Sequence, residues 1–282
     1  MSSPLGTYRP FSPADIQQTR RRAEPLLAPW RWLTRPLLQG LEHLPDRPVM
    51  LVGNHTLLGF LDAPLMMLEL HRKTGLFPRG LGDHDHFRLP GWGHFWDTMG
   101  IVDGTRDTCA RMMTAGETLV VFPGGAREVF KNRHQRYQLL WQGRLGFARM
   151  ALAHGYPIVP FAAVGADECY RILWDRQDWM KSPLGPLVRI LGLREETLPQ
   201  LLAGIGPTPM PMPQRLYFRL GPVIEPGEFG TDGADTAACQ RLQERVKGAV
   251  EAELQSLFRV RQNDPRRDLL PRLSDAVQGF YR

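Results

Sequence analysis

Short apolar runs alternate along this chain with longer segments in which apolar residues recur every three or four positions. Three of the runs have the pattern of strands buried on both faces: residues 48–53, 118–122 and 156–164. A further strand is predicted over residues 216–220. Helices are predicted over residues 60–72, 105–115, 144–154 and 235–258. Alternating strands and helices predict an α/β fold with a mainly parallel sheet flanked by helices.

The N-terminal part, residues 1–41, has a different pattern. Ser12-Pro13-Ala14-Asp15 is typical of a capped helix start, and a basic cluster at Arg20–Arg22 precedes several leucines with Trp30 and Trp32. Such an amphipathic segment either lies in a lipid interface or packs on the protein with its arginines in solvent. We therefore divide the chain into this helical segment, one main domain over residues 42–262, and a charged tail over residues 263–282.

Charge and cysteine content narrow the partners and the compartment. The 282 residues carry a net charge of +6, which suits nucleic acid, anionic lipid or a phosphorylated cofactor such as coenzyme A. No nucleic-acid-binding motif accompanies the charge, so we expect no nucleic acid partner. The three cysteines are far apart, which argues against disulfides and for a reducing compartment. The N-terminus has no apolar run typical of a secretory signal, which agrees with a cytoplasmic location. The most apolar long stretch, residues 49–70, contains four polar or charged residues, so membrane contact would be peripheral, on the cytoplasmic face.

Chemically useful residues follow two of the predicted strands. The first strand leads into Asn54-His55, and the second into Pro123-Gly124-Gly125-Ala126-Arg127. Sites in open α/β sheets gather beyond the carboxyl ends of strands. An imidazole base at one turn and exposed backbone N–H groups at the next are what acyl transfer to an alcohol requires. The base removes the hydroxyl proton, and the fixed donors stabilise the oxyanion.

Four motifs in order make the chain resemble the glycerolipid acyltransferase superfamily. They are Asn54-His55 with Asp62, Gly100-Ile101-Val102-Asp103-Gly104-Thr105-Arg106, Phe122-Pro123-Gly124-Gly125-Ala126-Arg127, and Tyr156-Pro157-Ile158-Val159-Pro160. Pro-Gly-Gly-x-Arg-Glu at residues 123–128 looks like the branch of phytyl ester synthases and related diacylglycerol acyltransferases, where phosphate-acceptor members carry Pro-Glu-Gly-Thr-Arg.

The resemblance implies an O-acyltransferase that needs no cofactor. The donor would be acyl-coenzyme A or an acyl-carrier-protein thioester, and the acceptor a lipid alcohol or glycerolipid at a membrane surface. His55 would be the general base and Asp62 the group that orients it. Substrate or oxyanion binding would fall to Asn54, Thr105, Arg106, Gly124, Gly125 and Arg127. Leu57, Leu58, Phe60 and Trp92 either line an acyl tunnel or belong to the ordinary apolar core.

Two departures from the family pattern matter. The usual His-x4-Asp is here His-x6-Asp, so Asp62 reaches His55 only if residues 56–59 loop out before the helix begins, which Gly59 would allow. Gly124 stands where a glutamate is usual, which argues for an acceptor other than glycerol 3-phosphate. Glu128 is expected to pair with a nearby basic residue.

Other interpretations remain beside this one. Asp83-His84-Asp85-His86, with His94 and Asp97, is either a metal site or a polar loop lining the pocket, and the absence of an HExxH pattern favours the loop. A serine hydrolase is excluded because residues 51–165 contain no serine. A non-catalytic acyl- or lipid-binding protein, or a weak thioesterase of the same fold, is the alternative function.

Overall fold

The computed structural model describes residues 8–82, 87, 91, 93–94, 96, 99–191 and 198–280, with side chains to residue 274. Its helices are α1 (Pro13–Thr34), α2 (Ala63–Thr74), α3 (Arg106–Thr114), α4 (Ala126–Val129), α5 (Gly146–His154), α6 (Arg176–Lys181), α7 (Gly185–Ile190), α8 (Thr236–Gln262) and α9 (Leu269–Phe280). Its strands are β1 (Leu37–Gln39), β2 (Met50–Gly53), β3 (Arg79–Gly82), β4 (Val102–Asp103), β5 (Leu119–Val121), β6 (Ile158–Val164), β7 (Arg171–Trp174), β8 (Leu201–Ala203) and β9 (Tyr217–Leu220).

Seven of these strands form one sheet in the order β1-β9-β6-β2-β5-β3-β4. Every neighbouring pair is parallel except β6 and β9. Strands β7 and β8 form a separate antiparallel pair. The predicted α/β fold with a mainly parallel sheet is therefore confirmed.

Helices cover both faces of the sheet. Alternate side chains of β2 point to opposite faces, so Met50 and Val52 join one apolar cluster and Leu51 joins the other. The first cluster includes buried residues of α3, α5 and α8. On α8 the buried apolar residues, Leu242 among them, recur at helical spacing. The second takes in α1 and α2. The continuous apolar runs of β2 and β6 follow from this burial on both faces.

Helix α1 packs on the domain. The Ser12–Asp15 capping box starts it as the sequence predicts, and the Trp30 Nε1 donates to the Leu61 carbonyl (2.7 Å). The helix ends earlier than predicted, because Arg35 adopts a left-handed conformation (φ 44°) and the chain then enters edge strand β1. Arg20–Arg22 and Trp32 remain exposed, so interfacial contact stays a prediction. In the part of the chain described, no helix is both long and apolar enough to cross a bilayer.

Candidate active site

The two predicted turns lie side by side. Strands β2 and β5 pair in parallel with Val52 opposite Val121, so both leave the sheet at the same edge. Beyond that edge the His55 imidazole stacks on the Phe122 ring, with 4.1 Å between ring centroids and 21° between their planes. The sheet register therefore brings together the first and third motifs.

Three buried side chains grip the backbone of the His55 turn. Glu128 Oε2 accepts from the His55 N–H (2.6 Å), Lys131 Nζ donates to the His55 carbonyl (2.9 Å), and Asp167 Oδ1 accepts from the Leu57 N–H (2.6 Å). Lys131 also pairs with Asp167 Oδ2 at 3.0 Å. We call Glu128, Lys131 and Asp167 the backbone clamp. The clamp fixes the position of His55 by binding both its backbone N–H and its carbonyl oxygen.

Asn54 ties the same turn to the sheet. Its side-chain nitrogen donates to the Ala163 carbonyl (3.0 Å), and its oxygen accepts from the Ala163 N–H (2.8 Å). Asn54 is only 2% exposed, and these two bonds attach it to β6. The structure thus places Asn54 behind the turn, where it orients the residue that follows.

The segment after His55 loops out before α2 begins at Ala63. Leu58 and Gly59 both have left-handed backbone conformations, with φ of 63° and 66°. A Cβ on Gly59 would lie 1.9 Å from His55 Cε1, so the loop passes directly over the imidazole. The looping-out that His-x6-Asp spacing requires is therefore present, and Gly59 makes it possible.

Asp62 caps the start of α2 and is almost fully buried. Its Oδ1 accepts from the Ala63 N–H at 2.8 Å. Burial raises the pKa of Asp62 to about 7; the Thr56 hydroxyl opposes that rise and the Asp167 charge adds to it. Asp62 is therefore a carboxyl that exchanges its proton near neutral pH.

The turn after β5 is shaped by two glycines. A Cβ on Gly124 would lie 2.1 Å from the Glu128 carboxyl carbon, so Glu128 fills the space of a side chain at position 124. Glu128 Oε1 accepts from the Leu140 N–H at 2.8 Å. The expected pairing of Glu128 with a basic residue is corrected: backbone N–H groups hold its two oxygens. Burial raises the pKa of Glu128 to about 7, against the nearby Lys131 charge and these N–H bonds.

Gly125 has φ 50° and ψ −138°, a conformation that favours glycine. Its N–H donates to the Phe122 carbonyl (3.1 Å) and closes the turn. Arg144 Nη1 donates to the Gly124 carbonyl (3.1 Å) and the Pro123 carbonyl (3.3 Å). The Gly125 N–H is therefore directed into the turn itself.

An apolar cavity of about 340 Å³ adjoins His55. The first turns of α2, strand β3 and the loop before α2 form its walls, with Leu58, Phe60, Ala63, Met67, Phe122 and Phe130 among the lining residues. Of the tunnel candidates, Leu58 and Phe60 line the cavity, Leu57 lies in the core, and Trp92 lies outside the described residues. A cavity of this size and lining suits an aliphatic chain.

The remaining predicted site residues lie farther along the sheet edge or at its surface. Thr105 caps α3 and accepts from the Thr108 N–H at 3.1 Å. Arg106 follows it, exposed, beyond β4, which is three strands from β2 in the sheet. Arg127 is half-buried and donates to the side-chain oxygen of Gln142. The structure groups His55, Asn54, Gly124 and Glu128, and places Thr105 and Arg106 apart from them.

The histidine-rich segment at residues 83–86, together with Asp97, lies outside the described residues, whereas His94 is described and exposed. Within the described ranges, no group of three or more histidine, cysteine, aspartate or glutamate side chains is placed to hold a metal ion.

Comparison with known proteins decides the family. A family model described as Acyltransferase matches residues 35–164. The chain is 31% identical over 259 residues to the chloroplastic phytyl ester synthase 1 of Arabidopsis thaliana, covering 84% of this chain and 36% of that protein. It is 26% identical over 160 residues to the human DGAT1/2-independent enzyme synthesizing storage lipids, covering 53% and 48%. The 1-acyl-sn-glycerophosphate acyltransferase PlsC of Thermotoga maritima shares the fold (TM-score 0.51, 16% identity, 84% of this chain and 78% of that chain).

This chain is a member of the glycerolipid acyltransferase superfamily. It spans 36% of the length of the Arabidopsis phytyl ester synthases that it matches.

In this member of the superfamily, the backbone clamp gives a structural reason for the glycine and glutamate of the third motif. Glycine at 124 and glutamate at 128 go together, because the carboxyl of Glu128 occupies the space that a larger residue at 124 would need. The sequence offered no comparable signal for Lys131 or Asp167, which lie 36 residues apart and meet only in the fold.

Proposed function

We propose that this acyltransferase moves a fatty-acyl group from a thioester to the hydroxyl of a lipid alcohol or glycerolipid, with His55 as general base. The observation that carries the proposal is the His55 imidazole lining an apolar cavity of about 340 Å³ beside the Phe122–Gly125 turn. A base at the wall of a cavity suited to an acyl chain brings together the proton acceptor and the carbonyl that is attacked.

The proposed reaction is a direct transfer. The acceptor hydroxyl attacks the thioester carbonyl while His55 takes its proton, and the C–S bond then breaks. The proton passes from the imidazolium to the departing thiolate, so that the products are an ester and a free thiol. For the oxyanion we propose the Gly124 N–H, since the Gly125 N–H already donates to Phe122 and Pro123 has none.

We propose that Asp62 stabilises the imidazolium electrostatically. Asp62 follows a loop that folds back over the His55 ring. Because the pKa of Asp62 is about 7, the positive charge that forms on His55 when it takes a proton favours the ionised carboxylate of Asp62. A conservative Asp62→Asn change retains the helix cap and removes only the charge.

We further propose a neutral lipid alcohol as acceptor and coenzyme A or acyl-carrier protein as the carrier of the donor. Gly124 stands where phosphate-acceptor members of the family carry a glutamate, and the Glu128 side chain fills the adjacent space with its carboxyl held by backbone N–H groups. This difference favours an acceptor other than glycerol 3-phosphate. The names of the phytyl ester synthase and storage-lipid relatives favour the same acceptor class. Arg106 and Arg127 are proposed to hold polar groups of either substrate.

We propose that the protein works peripherally on the cytoplasmic face of a membrane. Helix α1 presents Leu26 and Trp32, 58% and 49% exposed, beside the exposed Arg20–Arg22. Aromatic and basic side chains together are typical of an interfacial segment.

The test is thiol release from palmitoyl-coenzyme A and from palmitoyl-acyl-carrier protein, with diacylglycerol, a long-chain alcohol, lysophosphatidic acid or no acceptor. We expect acceptor-dependent release that His55→Ala abolishes and that the exposed control His134→Ala leaves unchanged. Full transfer by a folded His55→Ala variant would refute the mechanism. Release without acceptor would indicate a thioesterase, and no release with either donor a lipid-binding protein.

A further inference from the structure

Exposed large apolar side chains are concentrated in one segment of the chain. Between β6 and β9 the chain forms α6, α7 and the separate β7–β8 pair, and we call the described residues of this segment, 171–191 and 198–210, the appendage. Among all the residues that the structure describes, twelve large apolar side chains are exposed, and nine of them belong to the appendage. Exposed apolar residues that are scattered singly are ordinary, whereas their concentration in one place marks an interaction surface.

Helix α7 and the residue after it carry the most exposed part of this surface. Leu187, Ile190 and Leu191 are 49%, 81% and 60% exposed. Positions three and four apart lie on one side of a helix, so these three side chains form one aliphatic patch, which we call the α7 patch. Val188, in contrast, is buried against the rest of the protein. The helix is therefore attached through its other side and leaves the α7 patch exposed to solvent.

The appendage lies at the sheet edge that carries His55. It follows β6, which is parallel to β2, so that both strands leave the sheet at the same edge. Gln200 Nε2 of the appendage donates to the carbonyl of Lys131, a member of the backbone clamp, at 2.7 Å. Two residues farther along the chain, Arg133 Nε pairs with Asp175 Oδ2 of the appendage at 3.1 Å. These bonds hold the appendage directly beside the turn that His55 occupies.

The composition of the exposed surface favours a lipid over a protein partner. Seven of the nine exposed apolar side chains in the described residues of the appendage are leucine or isoleucine. The residues that dominate protein–protein interfaces are instead tryptophan, tyrosine and arginine, and leucine is under-represented there. Aliphatic side chains with a tryptophan and basic residues beside them are typical of segments that lie in a bilayer interface. Trp174, Lys181 and Arg189 are exposed in the appendage and complete that composition.

We propose that the appendage docks on a phospholipid bilayer, with the α7 patch among the acyl chains and the basic residues at the headgroups. This docking deepens the peripheral membrane contact proposed above, on which it rests, and assigns the contact to a surface beside the site. Asp175 and Asp178, the two acidic residues in the described part of the appendage, both pair with Arg133, so their carboxylates do not oppose the contact. Docking in this way brings the edge that carries His55 to the lipid phase that holds the acceptor.

The first experiment measures the environment of the α7 patch directly. The three native cysteines are buried, so an environment-sensitive fluorophore can be attached to one introduced cysteine, in Ile190→Cys or in the control Glu244→Cys, an exposed position in the first half of α8. With vesicles of phosphatidylcholine and phosphatidylglycerol, we expect the emission of the label at position 190 to shift to shorter wavelength because it leaves water. The label at position 244 should show no shift. An unshifted label at position 190 on protein that sediments with the vesicles, or no sedimentation at all, would overturn the proposal.

The second experiment measures how much the α7 patch contributes to binding. Leu187→Ser/Ile190→Ser/Leu191→Ser should bind the same vesicles roughly 100-fold more weakly than wild type, since three large aliphatic side chains lose their burial among the acyl chains. The matched control, Leu187→Met/Ile190→Leu/Leu191→Met, keeps the apolar area and should bind as wild type does. Because these positions are exposed, the midpoint of urea unfolding should be the same for all three proteins. Equal vesicle binding by the serine variant and the control would contradict the proposal.

Light scattering without vesicles separates lipid docking from self-association. Wild type and the serine variant should have the same molar mass. A wild-type oligomer that the serine substitutions dissociate would assign the α7 patch to a second copy of the chain and overturn lipid docking. None of these measurements needs turnover, and His55→Ala should dock as wild type does, so a failure of docking and a failure of the proposed acyl transfer are separate outcomes.

Discussion

Gly59 is the position where one added methyl group would reach the imidazole. Its φ of 66° and the 1.9 Å approach of a Cβ to His55 Cε1 predict two separate effects of Gly59→Ala. The left-handed backbone lowers the free energy of unfolding by about 1 kcal/mol. Displacement of the ring lowers kcat/KM about 100-fold, because misplacement near 1 Å is costly in a preorganised site.

Gly75→Ala is the matched control for this change. Gly75 has φ 76° and nothing within 4 Å of its Cβ position, so it bears the backbone cost alone. Urea unfolding should give similar losses for the two variants, while thiol release should fall only for Gly59→Ala. Equal activities would show that the loop above His55 yields without moving the ring.

The packing of Glu128 against position 124 predicts that the two residues are energetically coupled. Gly124→Ala must displace the carboxyl that holds the His55 N–H, whereas in a Glu128→Ala background that carboxyl no longer opposes the added methyl group. A double-mutant cycle by urea unfolding should give a coupling free energy of about 0.5–3 kcal/mol. Additive costs would mean that Glu128 is not what restricts this position.

Single residues also mark the limit of what the sequence predicts. The motifs located His55 and the Gly124–Gly125 turn because both follow strongly apolar strands. The sequence did not predict the backbone clamp, since a buried lysine–aspartate pair depends on side chains that are distant in the chain and on burial that the sequence does not record. Glu128 shows the same limit: sequence proximity favours a basic partner, whereas in the fold backbone N–H groups bind both of its carboxylate oxygens.

At the scale of elements, α2 sets the size of the acyl cavity. Ala63 and Met67 lie one turn apart on α2 and both line the cavity. Ala63→Phe should fill part of it and shift the donor preference toward shorter acyl chains, because each methylene that no longer fits forfeits about 0.8 kcal/mol of burial.

The measurement compares kcat/KM for acyl-coenzyme A donors from octanoyl to stearoyl. Lys73→Phe, an exposed change near the end of the same helix, is the control and should retain the wild-type preference. An Ala63→Phe variant with uniformly lower activity and no shift in chain length would place the acyl chain elsewhere.

The elements that the sequence predicted well are strands made mostly of buried apolar residues and helices with a continuous apolar face. Strands β2, β5, β6 and β9 and helices α2, α3, α5 and α8 lie within a few residues of the predicted ranges. Strands β3 and β4 were not predicted, since β3 contains Gly80 and Gly82 and β4 has only two residues. Edge strand β1 was included in the preceding helical segment, because Arg35 ends that helix through its backbone conformation and not through a glycine.

At the scale of the whole molecule, the parallel sheet places its chemistry at one edge. The His55 turn follows β2 and the Gly124 turn follows β5, and because these strands are parallel both turns lie at the same edge. The apolar cavity adjoins His55 and Phe122 at this edge, as expected for open α/β sheets, in which sites gather beyond the carboxyl ends of strands. The antiparallel insertion of β9 is what brings the start of the edge strands to this side.

Two buried carboxyls make the stability of the whole fold depend on pH near neutrality. Asp62 and Glu128 each have a pKa of about 7 in the folded protein, raised by burial, whereas in the unfolded chain both titrate at about pH 4. Between about pH 4 and pH 7 the folded state therefore binds more protons than the unfolded state, so the free energy of unfolding decreases as pH rises. From about pH 5 to pH 8 these two shifts together correspond to a loss of up to about 5 kcal/mol in urea unfolding, divided about equally between the two carboxyls. Asp62→Asn should make that decline shallower, and a free energy of unfolding that rises over this interval would show that these carboxyls are ionised in the fold.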